Sequence, residues 1–147
     1  MKFRIRQTTN KEIVFNLSDA LFGSDLKYDH SKNVYWLAFD QNNNPVGFAQ
    51  ATPTGFGEVF LSRSGVLKCA RGYDLQVRLI KVREAWARKN GYTALVTYAI
   101  RSNGPSIKSL LKCGFKIYEP SWEWGSSQMV YFSKDISDEH ISLPKKL

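Results

Sequence analysis

The sequence predicts a mixed α/β domain whose sheet is mostly antiparallel, and three observations carry that prediction. Five apolar positions at helical spacing near the N-terminus give way at Val34 to three strand-like runs separated by turn signals. The longest helical pattern then lies between the third of those runs and an almost wholly apolar one, TALVTYAI at 93–100, so a crossover helix joins the two strands. Strand-sized runs return after a second short helix, giving the order βαβββαβαββ.

Each element has a local reason. Phe3 and Ile5 alternate with Arg4 and Arg6, the pattern of a short first strand. From about Asn10, the residues Ile13, Val14, Leu17, Leu21 and Phe22 line one helix face, with Thr9 or Asn10 as N-cap and Gly23 as the stop. Segment 24–33 is polar and reads as a loop or a single turn. VYWLAFD from Val34, the turn-forming QNNNP and VGFAQAT form a β-hairpin pattern, followed by a third strand at about Glu58–Val66. Between Arg71 and about Lys89, Leu75, Leu79, Val82 and Trp86 recur at helical spacing, and Gly91 ends the helix. Thr93–Ile100 has the character of a strand buried in mid-sheet. Asn103 to Lys112 is a short helix with Asn103 as a cap and Cys113-Gly114 as its stop, and FKIYEP and QMVYFSK supply two last strands.

The 147 residues, 43% hydrophobic and 23% charged, suit a single domain large enough to bury a core without disulfides. We place it at 1–137, followed by a polar tail at 138–147. The opening MKFRIRQTTN has no apolar stretch after its basic residues, and no run approaches a membrane span, so a cytoplasmic protein without membrane attachment is expected. No feature specifies the oligomeric state.

The net charge of +8 is unevenly placed. Between Arg63 and Lys112, eleven Lys and Arg stand against Asp74 and Glu84, whereas the rest of the chain carries ten basic and eleven acidic residues. A localised excess points to an anionic partner, a phosphorylated cofactor or a nucleic acid, or in part to a solvated helix face. Several chemistries lack material. His30 and His140 sit in polar segments and offer neither a zinc site nor a Ser-His-Asp triad, so no metal site is expected. No phosphate-loop motif ending in Gly-Lys-Ser/Thr exists, and Cys69 and Cys113 have neither C-x-x-C spacing nor a nearby histidine.

The junction VLKCARGYDLQ takes a strand into the basic helix through a short turn containing Gly72. A helix N-terminus presents unbonded N–H groups and a partial positive charge, and Lys68 and Arg71 stand beside it. That set suits a pyrophosphate; it also suits an ordinary helix start with a solvated arginine. Here the sequence resembles the GCN5-related N-acetyltransferase (GNAT) family, on two blocks. The family's acetyl-CoA signature, Arg or Gln, two residues, Gly, one residue, Gly or Ala, is similar to Arg71-Gly72-Tyr73-Asp74-Leu75-Gln76. A second block resembles Asn103-Gly104-Pro105-Ser106 followed by Lys112-Cys113-Gly114-Phe115. The likeness covers about residues 1–133 and extends to small acetyltransferase-like proteins of phage and bacterial genomes. Three positions depart from the pattern: Asp74 and Gln76 replace the small signature residues, and Leu110 stands where many members carry a proton-donating tyrosine.

The resemblance implies a GNAT-like sheet with splayed central strands and direct acetyl transfer from acetyl-CoA to an amine of a small molecule or protein. The implied cofactor contacts are Val66, Leu67, Lys68, Arg71, Gly72, Tyr73, Asp74, Leu75, Gln76 and Asn103, with the backbone near Val66 polarising the thioester carbonyl. Asn103 is also a structural cap in its own right. Glu58 would take the ammonium proton, through a water, and Tyr98 would protonate the leaving thiolate. Trp36 and the cluster Trp122-Glu123-Trp124 either line an acceptor pocket or pack in the core. Asp25, Asp29, Glu119 and Glu123 either attract a cationic amine or merely solubilise the chain. A competing expectation is a catalytically degenerate fold that binds a macromolecule through its basic central third, with nucleic acid as a less favoured partner.

Overall fold

The computed structural model describes residues 2–23, 29–122 and 124–137. In chain order the elements are β1 (Arg4–Thr8), α1 (Lys11–Phe22), β2 (Val34–Phe39), β3 (Pro45–Pro53), β4 (Glu58–Val66), α2 (Leu75–Lys89), β5 (Ala94–Ile100), α3 (Gly104–Lys112), β6 (Lys116–Tyr118) and β7 (Met129–Asp135). The strands form one seven-stranded sheet in the order β1-β2-β3-β4-β5-β7-β6. All neighbours are antiparallel except β4 and β5. The predicted class and element order hold, and the crossover between β4 and β5 is made by α2.

Local chemistry sets the boundaries. Of the two candidate caps for α1, Asn10 is used: its Oδ1 accepts the Ile13 N–H at 3.3 Å, and Gly23 at φ 89° ends the helix. The β2–β3 turn closes on Asp40, whose Oδ1 accepts the N–H groups of Asn44 at 2.9 Å and Asn42 at 2.8 Å. These bonds, that from Asn44 foremost, hold the Asp40 carboxyl below its usual range.

The sheet is covered on both faces, which explains why VYWLAF reads as an unbroken apolar run. Tyr35 and Leu37 pack with Val14, Leu17 and Phe48 beneath α1, while Trp36 and Ala38 belong to the larger cluster beneath α2 and α3. Trp36 meets Trp86 edge-on at 6.0 Å, so of the two roles open to it, core packing is the one it takes.

Some expectations shift. The helix expected from Arg71 begins at Leu75, because Gly72 (φ 86°) and Asp74 (φ 60°) are left-handed and Lys68–Ala70 forms a separate 3-10 turn. FKIYEP contributes only Lys116–Tyr118 to the sheet, and β7 lies between β5 and β6. Within the polar segment, Asn33 closes a turn on the His30 carbonyl at 3.0 Å, while 24–28 lie outside the described residues, as do Glu123, His140 and the tail at 138–147.

The central feature is a gap in the sheet. β4 and β5 share just three register pairs, Glu58–Ala94, Val59–Leu95 and Phe60–Val96, and then part, although β4 runs on to Val66 and β5 to Ile100. A bulge in β4 accompanies the parting: from the Thr52–Phe60 pair to the Gln50–Arg63 pair, β4 spends one more residue than β3. Thr97 Oγ1 donates to the Leu61 carbonyl at 2.8 Å just beyond the last pair, marking the vertex of a V.

Candidate active site

The open end of the V leads to the turn between β4 and α2. Strand alternation points the N–H and C=O of successive residues to opposite sides. Leu67 N–H bonds the Val46 carbonyl on the β3 side at 2.8 Å, while the Val66 carbonyl accepts Arg71 Nε on the other side at 3.0 Å. The backbone N–H groups of Val66 and, two residues earlier, Ser64 therefore face the gap. That gap is the slot in which an extended arm carrying amide groups can form strand-like bonds.

Beyond the slot stands the N-terminus of α2. Its first intrahelical bond runs from Arg78 N–H to the Asp74 carbonyl, so the N–H groups of Leu75, Gln76 and Val77 have no intrahelical acceptor. Asp74 occupies the N-cap but makes no side-chain cap bond, and the first turn carries no acid. Exposed Lys68 and Arg71 flank this terminus. Lys112 reaches it from α3 and pairs with Asp74 at 3.2 Å, both side chains being mostly exposed. Gly72 has open space where a side chain would begin. Uncapped donors, three cations and an open glycine fit a pyrophosphate; Asp74, with its carboxylate held by Lys112, is the one discordant group.

Gln76 reaches from the first turn of α2 to β4 near the open end of the slot. Its Nε2 donates to Ser64 Oγ at 3.0 Å, and its Oε1 is buried without a partner, an orphan acceptor beside the proposed arm. Leu75 is buried and anchors the helix, Leu67 is half-buried, and Tyr73 is exposed with its ring tilted 5.5 Å from that of Phe3. Asn103 Oδ1 accepts the Ser106 N–H at 3.2 Å, so this side chain caps α3, leaving its amide NH₂ as the group available to a ligand. Leu110 is buried in α3 and offers no proton there.

The predicted acid–base residues lie at the vertex rather than at Val66. Cross-strand partners share a sheet face, and the pairs Phe48–Gly65, Gln50–Arg63 and Thr52–Phe60 place Gly65, Arg63 and Phe60 on the α1 face with Phe48. Glu58, two positions before Phe60, falls on that face and is half-buried. Tyr98 joins it from β5, its ring 5.7 Å from that of Phe60 and 5.1 Å from that of Trp124. Trp124 and Tyr131 are 5.1 Å apart, which completes an aromatic wall beside the vertex. Trp122, by contrast, is largely exposed.

Arg63 was not among the residues singled out from the sequence. Its guanidinium lies 5.3 Å over the Phe22 ring of α1, and burial pushes its pKa below the ordinary arginine value. The one signal in the sequence is an arginine between two serines within a strand-like run, and the face it takes depends on the bulge.

Away from the V, an open cavity of about 270 Å³ lined by Lys81, Glu84, Ala85, Arg88, Cys113 and Lys134 runs along the middle and last turns of α2. Burial raises the Cys113 thiol pKa, which leaves it a protonated packing group. Cys69 is exposed on the 3-10 turn. No group of potential metal ligands occurs among the described residues, and no described helix is long and apolar enough to cross a membrane.

Known proteins share the family profile and the fold. The sequence profile of the Acetyltransferase (GNAT) family matches residues 4–115. An uncharacterized N-acetyltransferase of Schizosaccharomyces pombe is 26% identical over 123 residues, covering 83% of this chain and 76% of that protein. Among solved structures, a GNAT-family acetyltransferase from Staphylococcus aureus superposes with a TM-score of 0.73 at 14% identity, covering 92% of this chain and all of the other. The ribosomal-protein-S5-alanine acetyltransferase of Vibrio fischeri does so with a TM-score of 0.72 at 13% identity, covering 94% and 95%.

Proposed function

The chain belongs to the acetyltransferase (GNAT) family, and from that premise we propose that it transfers an acetyl group from acetyl-CoA directly to the nitrogen of an amine. The observation that carries this reading is the V between β4 and β5 opening onto the uncapped, cation-flanked N-terminus of α2. Acetyl-CoA, when bound, supplies the acetyl group as an activated thioester.

The chain's own groups divide the work. The N–H groups of Leu75, Gln76 and Val77, with Lys68, Arg71 and Lys112, would hold the pyrophosphate. Ser64 and Val66 N–H would align the pantetheine arm, with Gln76 Oε1 and the Asn103 amide as further partners. Glu58, on the α1 face next to the vertex, accepts a proton from the acceptor ammonium through a water. The freed amine would then form the new C–N bond as the C–S bond breaks, with Tyr98 giving its hydroxyl proton to the departing sulfur and regaining the second proton that the nitrogen sheds on becoming an amide. The reading of the fold as a degenerate macromolecule binder draws on Asp74 and on Leu110 in place of a tyrosine.

A screen of amines, amino acids and peptides for acetyl-CoA consumption, read by mass spectrometry, tests the reaction. With an acceptor in hand, Glu58→Gln should lower kcat by about 10²–10⁴ while leaving the acetyl-CoA Kd unchanged, since it touches a proton transfer and not the phosphates. A variant that turns over at full rate would remove Glu58 from the base role.

A further inference from the structure

The α1 face of the V carries a cation, Arg63, that forms no ion pair among the described residues. Arg63 is half-buried, and its Nε–H is buried without an acceptor. Its guanidinium lies over the Phe22 ring, and burial pushes its pKa down. A guanidinium in that state gains most from a desolvated anion that can meet its planar fork with two oxygens. Ser18, one turn before Phe22 and so on the same face of α1, is 1% exposed and has a hydroxyl without a partner, a second donor left open in this layer.

Position and surroundings narrow the class. Arg63 lies just past the bulge at the vertex, beside the place where the acceptor nitrogen must meet the acetyl group. In an α-amino acid a single carbon separates amine from carboxylate, so a carboxylate held by Arg63 delivers its amine to the vertex. The opposite wall is aromatic, with Phe60, Tyr98 and Trp124 within 5.1–5.7 Å of one another. The polar chain Ser62 to Thr52 to Asn33 on this face is neutral, and Glu58, the carboxylate beside the vertex, is placed to take the ammonium proton.

We propose that the acceptor is an aromatic α-amino acid, its carboxylate bound by Arg63 and its ring packed against Tyr98 and Trp124. This deepens the acetyltransferase reading and rests on it. The α-nitrogen forms the new bond to the acetyl carbon, the sulfur leaves with a proton, and the ammonium proton passes toward Glu58.

The test is a calorimetric titration of the CoA-saturated protein with L-phenylalanine and with phenethylamine, which differ by the carboxylate alone. L-phenylalanine should bind at least about tenfold more tightly. Arg63→Met should erase that difference, and Arg63→Lys should restore part of it. Acetylation of the same pair with acetyl-CoA should show the same preference in kcat/KM. Equal or tighter binding of phenethylamine, a preference that survives Arg63→Met, or binding of neither compound overturns the proposal. The wild-type comparison stands even if Arg63→Met does not fold. Acetyl-CoA binding and acetylation of other amines in the same assays would leave the acetyltransferase reading in place; absence of both would remove that reading as well.

Discussion

Asp74 shows how one side chain separates this protein from its family's pattern. It holds φ 60° where the signature has glycine, a conformation that costs a non-glycine residue about 1 kcal/mol, and its carboxylate stands before the donors a pyrophosphate needs. From sequence, Asp74→Gly reads as a trade of tighter binding against a lost helix-start charge and a poorer helix former. The structure changes the second half of that trade: Asp74 is outside the helix, makes no cap bond, and has an exposed pair with Lys112 worth at most about 1 kcal/mol. Asp74→Gly should therefore keep stability within about 1 kcal/mol of wild type and tighten acetyl-CoA binding roughly five- to thirtyfold, as removal of about 1–2 kcal/mol of repulsion predicts. Calorimetry and a melting curve check both halves. Asp74→Asn, which tolerates the same backbone and lacks the charge, should recover most of the gain if charge is the obstacle and little of it if bulk is. An unchanged Kd in both variants would place the side chain away from the phosphates.

Among elements, α1 and β4 meet on the side of the V where the acceptor is proposed to bind. Gly65 is where they meet: a Cβ there would sit 2.6 Å from Leu21 Cδ1 and 3.2 Å from the Phe22 ring. Gly65→Ala should push α1 outward, lift Phe22 from Arg63, and cost about 1–3 kcal/mol, read as a fall in Tm of several degrees. A variant as stable as wild type would mean that α1 does not depend on this approach. The elements themselves were legible in the sequence, because Asn10, Gly23, Gly91 and Asn103 mark helix ends and the apolar runs mark a sheet covered on both faces. The vertex was not. It depends on which residues pair, and the extra residue in β4 that turns Arg63 toward α1 leaves no trace in hydropathy. For the same reason the backbone expected to polarise the carbonyl, near Val66, and the expected base, Glu58, lie at opposite ends of β4, with Tyr98 on β5 near the Glu58 end. Trp36 and Trp124 were alike on paper and diverge because alternate residues face opposite layers.

For the whole molecule, the basic central third does not form one open face. Arg83 is 3% exposed, donates to the Gln50 and Leu79 carbonyls, and is held by burial to a pKa of about 9, so it stays charged inside the fold at neutral pH. Arg88 bonds Glu84 and the Ile136 carbonyl, Arg78 reaches the Phe3 carbonyl, and Arg63 lies under Phe22. Of the other seven basic residues, all exposed, Lys68, Arg71 and Lys112 stand together around one helix terminus, a scale that suits a single phosphorylated ligand better than a length of duplex. The most direct test of that account is a calorimetric titration of acetyl-CoA into wild type and Arg71→Ala, paired with melting curves. The account predicts one site per chain, a Tm that rises with acetyl-CoA concentration, and roughly tenfold weaker binding when the Arg71 charge is removed. No heat and no Tm shift at millimolar acetyl-CoA, or an Arg71→Ala protein that folds and binds as tightly as wild type, would contradict it.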